Sequence, residues 1–143
     1  MDGFALCISI AAFLLSLIQF FRESSRQKKE ATLVAYNQLQ DDVLSKLNKY
    51  SNPMPIIKYQ SEEWHELTVC LAKIERFSVG INTGIYSLDT LNRLGGAYFI
   101  RQYEKLKPII TRKRAENAAG GKHYDEFEET VNKLRKKRGV ISK

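Results

Sequence analysis

The sequence predicts an all-α protein, in which an N-terminal transmembrane helix continues into a cytoplasmic stalk helix and is followed by a small helical bundle. Three observations predict this. Gly3 to Phe21 runs without a formal charge until Arg22 ends it, neither Gly nor Pro occurs from Phe4 to Asn52, and after Ser61 apolar residues recur at spacings of three and four.

As a helix, the opening run of about 19 residues rises roughly 28 Å, close to the roughly 30 Å of a bilayer's hydrocarbon core. A cleaved secretory signal needs a basic start, a shorter apolar core and small residues at the cleavage site. Here Asp2 is the only charged side chain before the run, and Phe20, Phe21 and Arg22 stand where cleavage would occur. Cys7 precedes most of the apolar core, which argues against a lipoprotein signal. A buried helix of a soluble protein would have to be hidden on every side, which a chain of this size can hardly do. Arg22, Arg26, Lys28 and Lys29 follow the run directly. They predict an N-out, C-in orientation and contact with anionic lipid headgroups.

One face of this helix carries Ala5, Ser9, Ala12, Ser16 and Gln19, at steps of four, three, four and three, while Leu6, Phe13, Leu17 and Phe20 lie elsewhere. Small residues permit close packing in lipid, so this face is a candidate for association with a second copy or another membrane protein. Continuing the register brings up Glu23, Arg26, Glu30, Asn37 and Gln40, which disfavours a long coiled-coil dimer.

The predicted organisation is a short outer N-terminus at 1–2, a membrane helix at 3–21, a stalk at 22–50, a bundle at 51–138 packed with the stalk, and a flexible tail at 139–143. In the stalk Leu33, Tyr36, Val43, Leu44, Leu47 and Tyr50 share one side, and Asn52, Pro53, Met54 and Pro55 stop the helix. Ser61 caps the next helix, followed by Glu62 and Glu63 at its positive end. Its core stripe is Trp64, Leu67, Leu71, Ile74 and Phe77, and Gly80 to Gly84 reads as a turn. Ser87 caps a third helix with Leu88, Leu91, Leu94, Tyr98 and Leu106 directed inward. Gly95 and Gly96 inside it cost roughly 1 kcal/mol each relative to alanine and mark a close crossing. Pro108 predicts a kink or the start of a short helix, and Gly120 and Gly121 a hinge. Tyr124, Phe127, Val131 and Leu134 form the last stripe, with acids early and bases late, as the helix dipole favours.

The net charge of +7 favours anionic partners. Cys7 and Cys70 form no disulfide framework or metal-spaced pair. His65 and His123 lie far apart without ligand-spaced neighbours, and no phosphate loop, dinucleotide fingerprint or nucleophile elbow appears. The expectation is therefore no catalytic, cofactor or metal residue. For Glu75 and Arg76 a capping or salt-bridge role outweighs a catalytic pairing. Arg112 to Arg114 and Lys133 to Arg138 are basic clusters, read first as ordinary solvated or dipole-complementing charge, then as lipid contacts, and last as nucleic-acid contacts stacked with Tyr98, Phe99 and Tyr103.

The stretch from Ile74 to Ile110, IERFSVGINTGIYSLDTLNRLGGAYFIRQYEKLKPII, resembles the signature region of an uncharacterised bacterial family of small membrane-anchored helical proteins, classed as a domain of unknown function. The resemblance implies architecture and a bacterial inner membrane, and brings no catalytic residues with it. The expected function is a membrane-anchored interaction or scaffold module, with Glu75, Arg76, Asn82, Tyr86 and Asp89 framing its recognition surface. An enzyme acting on a membrane-associated substrate is the alternative, and a nucleic-acid tether is third.

Overall fold

The computed structural model describes residues 2–116 and 123–139, and every regular element within them is helical. Helix α1 spans Asp2–Leu39, widens into a π-helical turn at Gln40–Leu44 and closes with an α turn at Ser45–Leu47. Helices α2 (Glu62–Asn82), α3 (Leu88–Glu116) and α4 (Asp125–Lys137) complete the bundle. The predicted hinge at Gly120 and Gly121 lies outside the described residues. So does the predicted tail, apart from Gly139.

Pairwise contacts fix the order of the helices. Lys73 of α2 pairs with Asp42 of α1, while further along α2 Phe77 packs against Tyr36. Thus α2 runs back along α1, towards the apolar run. In α3 the order is parallel to α1, with Ser87 at Thr32 and Lys105 at Leu47. Helix α4 returns beside α2, where Glu75 meets the start of α4 and Asn82 meets Thr130 and Lys133. The result is an up-down-up-down bundle with a proximal end, from which the apolar run projects, and a distal end.

The core draws on all four helices. Phe99 lies 6.0 Å from Phe77 and 5.1 Å from Phe127, ring centre to ring centre. Leu67, Leu71, Ile74, Leu91, Leu106 and Leu134 are inaccessible. Each such side chain contributes about 1.5–3 kcal/mol on leaving water.

The caps follow the sequence in two places. Ser61 Oγ accepts from the Trp64 amide, and Ser87 Oγ from the Thr90 amide. Elsewhere the structure corrects the reading. Gly80 and Ile81 are buried inside α2, so the turn is confined to Thr83 to Tyr86, with Gly84 at φ +81°. Leu33 and Leu94 are exposed. Leu39, absent from the predicted stalk stripe, is buried with Tyr36, Val43, Leu44 and Leu47. Helix α3 continues through Pro108 to Glu116, and the residue that leaves helical geometry is Gly95, at φ −174° and ψ 33°.

The predicted Gly95-Gly96 crossing has a specific form. A Cβ on Gly95 would stand 2.9 Å from Tyr36 Cζ and closer still to the hydroxyl oxygen, and one on Gly96 would stand 3.3 Å from Leu134 Cδ2. The first glycine admits a ring from α1 and the second the side of α4.

Candidate functional site

The apolar half of α1 stands apart from the bundle. Its most hydrophobic stretch has a mean hydropathy of 2.0 and no buried residue, so this helix is long and apolar enough to cross a membrane. Leu6, Phe13, Phe20 and Phe21 are each more than half exposed. On the small-residue face, Ser9 Oγ donates to the Ala5 carbonyl at 3.0 Å and Ser16 Oγ to the Ala12 carbonyl at 2.9 Å. The two hydroxyl donors are thus satisfied within the helix and bring no unpaired proton to an apolar medium. Ala5, Ala12 and Gln19 share that exposed face.

Beyond Arg22 the helix is locked to the bundle. Thr32 is fully buried, donates to the Lys28 carbonyl at 2.6 Å and accepts from the Ser87 amide at 2.7 Å. One turn further, the Tyr36 ring fills the gap left by Gly95. At the far end, Lys105 Nζ donates to the Leu47 carbonyl at 2.6 Å, capping α1, and burial lowers its pKa. Nothing in a hydrophobic-periodicity reading marks Thr32 or Lys105, because both are polar residues buried by tertiary partners.

The five candidate recognition residues separate into distinct roles. Glu75 is half-buried and accepts from the Glu126 and Phe127 amides at 3.1 and 2.8 Å. It therefore caps α4, whose own N-cap position, Tyr124, sits at φ 64° without a side-chain cap. Burial raises the Glu75 pKa, and those two amides partly oppose the shift. Asn82 Nδ2 donates to the Glu126 carbonyl and carboxylate at 3.0 and 2.7 Å, while its Oδ1 accepts from Thr130 and Lys133. Tyr86 stacks on Phe77 with centroids 5.4 Å apart and covers Gly80. Asp89 forms an ion pair with Lys137. Arg76 is exposed and has no hydrogen bond or ion pair among the described residues.

Arg76 and Tyr86 share a groove between α1 and α2, beside the π-helical turn. Gln38, Asp42 and Lys73 line it with them, and the Lys73–Asp42 pair spans 3.8 Å. Asp89 belongs instead to a second groove, between α1 and α3. The geometry therefore divides the expected surface in two and leaves Glu75 and Asn82 as links between α2 and α4.

The first basic cluster is occupied inside the fold. The Arg112 guanidinium lies 5.1 Å from both the Tyr59 and Trp64 rings and donates to the Ile57 carbonyl at 3.1 Å. Arg114 binds the His123 carbonyl, Asp125 and Glu128, and Lys113 pairs with Glu116. Phe99 and Tyr103 are core residues, and Tyr98 donates to Asn48 at 2.7 Å.

Residues 6–134 match the family described as a domain of unknown function, DUF4760, a span reaching from the apolar run to Leu134 in α4. The chain belongs to the DUF4760 family. No curated protein and no solved structure matches it. The matched span takes in both glycine crossings, the Thr32 pin and the α1–α2 groove. Among the described residues no group of His, Cys, Asp and Glu is arranged to hold a metal ion. His65 is exposed on α2, and Cys70 is buried, which pushes its thiol pKa up.

Proposed function

We propose that this chain is a membrane-anchored, cytoplasmic interaction or scaffold module, built so that one helix serves both as anchor and as core element. The observation that carries the reading is the contrast along α1. Its first half exposes Leu6 to Phe21 on all sides, whereas Tyr36, Leu39, Val43, Leu44 and Leu47 of the same helix are buried in the bundle. A soluble domain gains nothing from such an exposed stretch, and a bilayer would cover it. Arg22, Arg26, Lys28 and Lys29 favour the bundle on the cytoplasmic side and the N-terminus outside. The family resemblance favours a bacterial inner membrane.

Confinement to the membrane plane raises the effective concentration of the module for partners held there. The small-residue face of α1 is the proposed contact with a second copy or another membrane protein. The α1–α2 groove, with the free guanidinium of Arg76 beside Lys73 and the edge of Tyr86, is the proposed contact for a partner in the cytoplasm.

Crosslinked recovery of partners from membranes tests the reading, comparing the full chain, a chain lacking Met1 to Phe21 and an Arg76→Glu chain. The first should retain partners that the other two lose. Equal recovery by all three refutes it, as does release of the full chain by carbonate.

A further inference from the structure

The proximal end of the bundle gathers positive charge from three helices. Lys29 of α1, Arg93 of α3 and Lys137 of α4 surround the Asp89 carboxylate and hold its pKa below the usual range, the Lys137 hydrogen bond contributing most. The other carboxylate of the α1–α3 groove, Glu30, pairs with Arg26 at 3.7 Å, so the cations are not neutralised. Lys136, on the exposed side of α4, makes no ion pair among the described residues, nor do Lys29 and Arg93.

Apolar surface accompanies this charge. Leu33 and Leu94 are exposed, and with Lys29 and Arg93 they line the groove between α1 and α3. Ile85, at 63% exposure, stands in the α2–α3 turn. That turn lies at the level of Lys28, since a Cβ on Gly84 would come within 3.7 Å of Lys28 Nζ. Measured along α1, Lys28 is only about 10 Å beyond Phe21. The headgroup layer is roughly 5–7 Å thick, and charges act over about 8–10 Å at physiological salt. The proximal face is therefore within reach of the lipid surface.

We propose that this face, comprising Lys29, Arg93, Lys136 and the Ile85 turn, docks on anionic lipid headgroups of the leaflet from which α1 emerges. The proposal rests on the anchored reading and deepens it, because the bundle itself, and not only the basic stretch after Phe21, becomes a lipid-binding element. Cations complement the headgroup phosphates and Ile85 enters the interface. Continuity with the anchor selects lipid as the occupant, since the helix that carries the face delivers it to the bilayer.

The test uses the full chain in vesicles of phosphatidylcholine, alone or with phosphatidylglycerol. An environment-sensitive fluorophore is placed through Ile85→Cys, or through Ile56→Cys at the distal end, where Ile56 is 99% exposed. Cys7 and Cys70 are replaced by alanine, and Trp64 emission reports whether the bundle remains folded. Hydrogen exchange of the amides at 83–87 in the unmodified chain gives the same comparison without substitution. The expected result is a blue shift at position 85 in anionic vesicles only, no shift at 56, and exchange slowed several-fold at 83–87. Arg93→Glu with Lys136→Glu should abolish these effects while carbonate resistance persists. Identical signals in the two lipids overturn the proposal, as does an effect that follows protein density, which assigns the face to a second copy. An effect produced by added RNA overturns it too. Release of the full chain by carbonate would instead remove the anchored reading itself.

Discussion

Gly95→Ala separates the folded structure from a helix-propensity argument by the sign of its effect. Inside a regular, exposed helix, replacing glycine by alanine stabilises by about 1 kcal/mol. Gly95 is not in that situation, because its ψ of 33° breaks the helix and the space its side chain would take is filled by Tyr36. The Tyr36 ring is 5% exposed and packs 6.3 Å from Phe77, centroid to centroid, so it cannot swing aside without opening the core. Overpacking of this kind costs about 1–3 kcal/mol. Tyr36→Phe removes the hydroxyl, the nearest atom, but leaves Cζ 2.9 Å from the new methyl. The double variant should therefore recover part of the loss, giving a coupling of about 1 kcal/mol between the two positions. Thermal unfolding of the full chain in mild detergent measures both effects. Trp64, the only tryptophan and 5% exposed, follows the bundle without reporting on the apolar half of α1. A Gly95→Ala chain about 1 kcal/mol more stable than the parent, or additive effects in the double variant, would refute the crossing.

Other perturbations test the remaining contacts. Glu75→Ala leaves the Glu126 and Phe127 amides without their acceptor and should cost about 1.5–3 kcal/mol, with Glu75→Gln losing roughly half as much, as read by the same unfolding assay. Burial raises the pKa of Tyr36 and Tyr124 from 10.0, and that of Tyr103 to about 12. The unfolded chain loses these protons first, so the tyrosines' contribution to stability should be level below pH 10 and fall between about 10 and 12, which tyrosinate absorbance during unfolding would check. Arg112→Ala removes two ring contacts and a carbonyl bond. It should cost about 1–2 kcal/mol and speed amide exchange at 56–60, whereas Arg112→Lys should restore little because a point charge cannot stack on both rings. Ala12→Leu with Ser16→Leu should lower energy transfer between labelled chains in micelles; unchanged transfer would exclude that face as a dimer contact.

The sequence made the fold legible wherever a side chain's own chemistry decided its position. The stripes of α2 and α4 were readable because Trp64, Leu67, Leu71, Ile74 and Phe77, and likewise Phe127, Val131 and Leu134, are apolar residues on one face of a helix that packs on one side. Leu33 and Leu94 failed the same logic. Each continues a hydrophobic stripe, but each sits on the side of its helix that faces the open α1–α3 groove, while Thr32 and Leu91 on the same two helices are fully buried. Gly80 misled through propensity. It reads as a turn signal, yet its function is to admit the Tyr86 ring, a contact visible only once the chain has folded back. Glu75 and Arg76 show how little charge alone reveals of the candidate site. They are adjacent in sequence, but one caps α4 and the other faces a groove without a partner.

In the proposed reading, using α1 as both anchor and core element constrains everything the bundle can do. A free linker would let a tethered domain rotate, whereas here Thr32, Tyr36 and the distal Lys105 cap hold the helix at three levels. Any tilt of the apolar run must be transmitted to the bundle, and under the proposed anchoring the proximal turn would keep a nearly fixed height above the bilayer. The α1–α2 groove lies beside the π-helical turn at Gln40–Leu44, some 30 Å of helix beyond Phe21, well clear of the headgroups. Under the two proposals, a partner could therefore reach Arg76 and Lys73 from the cytoplasm while the proximal face is occupied by lipid. The two surfaces need not compete, so a charge reversal that releases the proximal face should leave partner recovery through the groove largely intact.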